Sequence, residues 1–116
     1  MEIVLMEPKI RNGTFSVENT IPAVSRNLRF APKLSLTDLQ DEAFNLSFSC
    51  EIWNGLEWEL LFGFTYKGGI HRTKNGATQQ GPSVCPVGYD FSGKSTRISL
   101  GINKPVLIGV SAYTEQ

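Results

Sequence analysis

The chain carries no excess charge of either sign, a single histidine and two cysteines, and each shortage removes a class of function. Eleven basic and eleven acidic side chains cancel to zero. Nucleic-acid binders advertise a basic excess, so no nucleic-acid partner is expected. No apolar run approaches the roughly 20 residues that a membrane-crossing helix needs, and no membrane partner is expected. Residues 1–6 contain a short apolar run but neither a basic n-region nor a small-residue cleavage site. By default the sequence therefore reads as cytoplasmic. Cys50 and Cys85 cannot make a disulfide framework, although one bridge between them remains open in an oxidising compartment. One histidine, His71, with two distant cysteines excludes the standard zinc spacings. Asp38, Asp41 and Glu42 cluster, but without the glycine and spacing of a calcium-binding loop. They read as a solvated helix face, and no metal or cofactor is expected.

What remains is strand. The 116 residues fit one domain, 1–116, and 41% apolar against 19% charged residues is the balance of a folded chain. Residues 3–6 form a first strand, followed by Pro8, which suits an edge. Asn12-Gly13 is a turn signal, and alternation resumes through Phe15 and Val17. Val24, Leu28 and Phe30 are spaced for a further strand. The segment around 36–43 is the one helix-like patch, with Ser35 or Thr37 as its cap. Phe44, Leu46, Phe48, Cys50 and Ile52 alternate with polar residues, as do Leu56, Trp58, Leu60, Phe62 and Phe64 with their neighbours. That is the period of a half-buried hairpin. A three-residue loop, Trp53-Asn54-Gly55, would pair Cys50 with Trp58, Phe48 with Leu60 and Leu46 with Phe62, so that every facing pair is apolar. Residues 75–93 are rich in glycine and proline and form a long irregular connection with a short strand at Val84. Residues 98–102 and 106–112 alternate around Asn103-Lys104-Pro105 and read as a closing hairpin. The pattern predicts an all-β fold: an antiparallel β-sandwich of seven to eight strands, with a small β-barrel as the alternative.

Two motifs are tested against their context. Gly88-Tyr-Asp-Phe-Ser-Gly93-Lys94-Ser95 matches the phosphate-loop pattern. That pattern works only between a strand and a helix whose N-terminus faces the phosphates. Here strand periodicity follows, and Tyr89, Asp90 and Phe91 would crowd and repel a phosphate. The segment reads as a turn. His71, Cys85 and Asp90 include the residue types of a nucleophilic cysteine site, but no spacing brings them together. Cys50, on an apolar stripe, reads as inert core.

No catalytic set emerges, and a non-enzymatic binding or assembly module is expected. Its candidate contacts are the residues off the apolar stripes: Trp53 and Asn54 at a hairpin tip, and Gln79, Gln80, Tyr89, Asp90 and Phe91 in the long loop. Trp53 either anchors a partner or folds over the end of the core. The partner would be another protein, the chain itself or a carbohydrate, with Trp53 or Tyr89 as a stacking platform. The competing reading is an enzyme or small-ligand barrel whose site residues converge only in three dimensions. Zero net charge offers no long-range repulsion to self-association. Residues 106–113 lack proline and lysine, so they would make the least defended edge if they lie at one; a central position is the alternative.

Overall fold

Two strands of 19 and 20 residues set the architecture, where globular strands usually run about 3–10. The computed structural model describes residues 2–23, 27–69 and 82–114. The elements are β1 (Glu2–Thr20), β2 (Leu28–Lys33), α1 (Leu36–Gln40), β3 (Asn45–Trp53), β4 (Trp58–Lys67) and β5 (Ser95–Thr114). All five strands belong to one open antiparallel sheet in the order β1-β5-β3-β4, with β2 also paired to β5. The fold is all-β as expected, but the described residues form one coiled sheet of five strands, with β1 and β4 at its ends, in place of seven or eight short strands.

The difference lies in two turn signals. Asn12-Gly13 and Asn103-Lys104-Pro105 do not close hairpins. They face each other halfway along the β1/β5 ribbon, where the register steps from Arg11↔Val106 to Gly13↔Ile102. Gly13 has φ 85°, a left-handed conformation that serves a bulge as readily as a turn. Both strands therefore continue through the irregularity. β5 is central along its whole length. Its first half lies between β1 and β3, in rows such as Ser16↔Ser99↔Ser49, and its second half between β1 and β2. Residues 106–113 are thus not an edge, and edge-to-edge pairing cannot use them.

Two further register shifts bend β1, one at Leu5 and one at Glu7-Pro8. Pro8 lacks an amide for the ladder, and Gly109 makes room for it. A Cβ at 109 would stand 2.7 Å from the Met6 carbonyl oxygen and 2.9 Å from the Pro8 nitrogen. The Arg11 guanidinium braces this bend by donating to the Glu7 carbonyl at 2.8 Å. These bends bring the two halves of the sheet face to face. The Asn19 side chain donates to the Leu5 carbonyl of its own strand at 3.0 Å. Phe30 of β2 meets Phe62 of β4 at 5.4 Å between ring centres.

Between the halves runs a continuous series of rings: Tyr89, Phe91, Phe30, Phe62, Phe48 and Phe64. Ile21, Leu28, Ile98, Ile108 and Val110 fill the space around them and are fully buried. Helix α1, capped by the Ser35 hydroxyl accepting from the Asp38 amide at 3.1 Å, closes one end. Its Leu39 is buried, and the Leu39 carbonyl accepts from the Tyr66 hydroxyl at 2.6 Å. Val84 forms the short bridge expected of it, exchanging both backbone hydrogen bonds with Phe30.

The β3/β4 hairpin departs from the expected register. Trp53 faces Trp58, Cys50 faces Phe62, and Phe48 faces Phe64 in place of Leu60. The loop has four residues because Asn54 organises it. Its side-chain oxygen accepts from the Leu56 and Glu57 amides, both at 2.8 Å, in the manner of an Asx turn. A bulge at Leu61 then restores the inward face from Phe62 onward. Trp58 and Leu60, expected in the core, therefore point to the outer face.

Candidate functional site

The outer face of the sheet takes its chemistry from the alternation of its strands. Two cross-strand rows carry small residues, mostly hydroxyls: Thr14–Gly101–Ser47–Thr65 and Ser16–Ser99–Ser49–Gly63. The next row is Glu18–Arg97–Glu51–Leu60, and beyond it lie Trp53 and Trp58. One end of the face is thus flat and hydroxylated, the other aromatic and charged.

Arg97 organises the aromatic end. Its guanidinium makes two parallel bonds to the Glu51 carboxylate, Nε to Oε1 at 2.8 Å and Nη2 to Oε2 at 3.0 Å. Such forked pairs fix orientation as well as charge. The same guanidinium lies 4.8 Å from the centre of the Trp58 ring, within cation–π range. Hydrogen bonding to Arg97 holds the Glu51 carboxyl below its usual range, and Glu51 in turn raises Arg97. Trp53 packs on Trp58 with ring centres 5.4 Å apart and planes tilted by 60°. Three large apolar side chains of this hairpin stay open to water: Trp53 at 43%, Leu60 at 68% and Leu56 at 89% exposure. Glu59 stands at the rim, bonded through Oε1 to the Asn54 amide at 2.5 Å.

At the hydroxylated end lies a shallow groove of about 440 Å³, lined among others by Thr14, Ser47, Thr65 and Lys67. Asn103 borders it, with its side chain already engaged by the Asn45 amide and the Ala43 carbonyl, both at 2.7 Å.

The residues singled out in the sequence separate in space. Trp53 stands on the outer face, half exposed, and does not cover the end of the core. Asn54 is beside it, but its amide is occupied in holding the loop. Tyr89 and Asp90 lie in the turn before β5; Asp90 is exposed and accepts from the Ser92 amide at 2.9 Å. Phe91 is only 1% exposed and packs on Phe30 at 5.0 Å, so it is a core residue and presents nothing to a ligand. Gln79, Gln80 and His71 lie outside the described residues. Residues 88–95 run directly into strand β5, so no helix N-terminus follows the phosphate-loop pattern. Both cysteines are free, and burial pushes the Cys50 thiol up to about 12.

Trp58, Leu60, Glu51 and Arg97 escaped the sequence reading. Their signal was Leu60-Leu61-Phe62, three consecutive apolar residues that interrupt the alternation where the bulge lies. Among the described residues, no group of three His, Cys, Asp or Glu side chains is placed to hold a metal ion. No described helix is long and apolar enough to cross a membrane. Comparison with protein-family models, curated proteins and solved structures finds no match to this chain.

Proposed function

We propose that the chain is a non-enzymatic binding or assembly module that recognises a protein partner through Trp53, Trp58, Leu60 and Arg97. The observation that supports this most is the bulge at Leu61. It lets Phe62 and Phe64 reach the core while the four-residue loop leaves Trp58 and Leu60 on the outer face. Adjacent exposed apolar groups mark interaction surfaces, and tryptophan and arginine are the side chains most often found at their energetic centres. Both are pre-ordered here, Trp58 between Trp53 and Arg97 and Arg97 by its fork to Glu51, so little side-chain freedom is lost on docking. Glu57, exposed at the hairpin tip, suits a partner with a basic group beside an apolar centre.

Carbohydrate is the second reading, favoured by Trp53 on the same face as two rows of hydroxyls. Affinity capture separates the two. Immobilised protein should retain a partner that Trp53→Ala and Leu60→Asp variants, folded by circular dichroism, lose by at least about tenfold in affinity, or 1.4 kcal/mol. Polysaccharide that quenches tryptophan fluorescence in the parent and not in Trp53→Ala would favour the sugar. Retention that survives both substitutions would refute this face as the recognition surface.

A further inference from the structure

An open sheet must dispose of its edges, because each offers unpaired amides and carbonyls to another chain. Three of the edge segments are guarded. β2 is covered where Val84 bonds Phe30 in both directions, at 2.8 and 3.0 Å, and it also carries Pro32. β4 is interrupted by the bulge at Leu61 and ends on Lys67. Residues 2–12 of β1 contain three register shifts and Pro8. The rest of β1 has none of these devices. From Gly13 to Thr20 it pairs with β5 in unbroken register, and it contains no proline, lysine or arginine. Among the described residues no strand pairs with its other side. Phe15 and Val17 are left half-buried on the inner face, while Thr14, Ser16 and Glu18 are exposed on the outer one.

We propose that residues 13–19 of β1 pair antiparallel with the same segment of a second copy, across a two-fold axis at Ser16. The segment is complementary to itself in this register. Phe15 of each copy faces the partner's Val17, so the two half-buried apolar side chains cover one another. Thr14 faces the partner's Glu18, and the two glutamates stand apart. Sliding by one step of the same parity, to place Ser16 opposite Glu18, would set Phe15 against Asn19 and leave one Val17–Val17 contact in place of two Phe15–Val17 pairs. Facing side chains of this kind set the register of sheets, and a two-fold contact of identical patches closes the assembly at two copies. The result is one continuous sheet of doubled width, in which the Ser16–Gly63 rows of the two copies join and each Thr14–Thr65 row meets the partner's Glu18–Arg97 row. The surface is separate from the tryptophan end, and this pairing stands or falls independently of what binds there.

The interface is short, which places it among weak, reversible contacts. Sedimentation velocity over a concentration series up to the solubility limit should show a monomer–dimer equilibrium. Ser16 is exposed, so Ser16→Lys and Ser16→Glu should fold with unchanged melting temperatures. Each should weaken the dimer by at least about tenfold by setting like charges opposite each other. An equimolar mixture of the two variants should restore it. Should the Ser16 variants melt early, Thr14→Lys takes their place and should tighten the dimer against the partner's Glu18. Trp53→Ala should leave the equilibrium unchanged. A monomer at every concentration, or a dimer indifferent to both Ser16 substitutions, would overturn the proposal. Tightening by Ser16→Lys with weakening by Ser16→Glu would overturn the register, since that pattern belongs to Ser16 opposite Glu18.

Discussion

Arg97 shows how much one side chain can fix on an exposed sheet face. Its three contacts, with Glu51 by two hydrogen bonds, with Trp58 by its ring face and with Glu18 by charge, hold neighbours from β1, β3 and β4 around a residue of β5. The pair has a pH signature whose sign follows from linkage. The folded-state pKa of Glu51 is depressed, chiefly by hydrogen bonding to Arg97. Its contribution is therefore complete above the ordinary carboxylate value of 4.5 and lost as pH falls through the lower, folded value. Asp41, lowered by its bond to Lys104, acts in the same direction. Both carboxylates are only partly buried, with side chains 23% and 29% exposed, so solvent screening keeps the effect small. The melting temperature should decline on acidification below about pH 4.5, and Glu51→Gln should make that decline shallower. An unchanged acid profile in the variant would show that the fork adds nothing to stability.

At the scale of elements, alternation made β3 legible, with Leu46, Phe48 and Cys50 inward, because a half-buried strand writes its burial at every second residue. The same was true of the second half of β1 and of both halves of β5. Irregularities were not legible, because their chemistry is shared with turns. Asn12-Gly13 is as suited to a bulge as to a hairpin, and only the long-range opposition of residues 11–13 to 102–106 decides between them. Likewise the aromatic end of the candidate site depended on a single extra residue, Leu61, whose insertion moved Trp58 and Leu60 to the opposite face from the one their spacing implied. Trp53 was recoverable because it fell off every stripe; Phe91 was misread for the same reason, its burial coming from Phe30 of a distant strand. The bulge at Pro8 allows a direct check of this level. Gly109→Ala would press a methyl group onto the Met6 and Pro8 backbone, which cannot rotate away. Denaturant unfolding should show a loss of about 1–3 kcal/mol or more, in the range of overpacked sites. A neutral outcome would mean that β1 is free to move off β5 at this point.

Over the whole molecule, β5 is the strand on which the others are assembled. β1, β2 and β3 each pair with it, and β4 reaches it only through β3. A chain ending after Pro105 would leave β2 and residues 2–11 of β1 without their β5 partner. It would also remove Ile108, Val110 and Ala112, all fully buried. Such a truncation should unfold without a cooperative thermal transition, whereas the full chain should melt in a single step. A sharp transition in the truncated chain would show that the β3/β4 hairpin and the first half of β5 make an independent unit.

The pairing of β1 with β5 also constrains when the protein can fold during its synthesis. Thr20 leaves the ribosome 75 residues ahead of Ser95, the residue it pairs with. At roughly 5–20 residues per second, β1 waits about 4–15 s for the start of β5, its one strand partner among the described residues. β3 and β4 are made consecutively and can pair in the interval, but β1 and β2 lack their strand partner until β5 is made. Throughout that time the uninterrupted segment 13–20 is an unpaired strand, available to neighbouring nascent chains on the same message or to a chaperone before its own β5 exists.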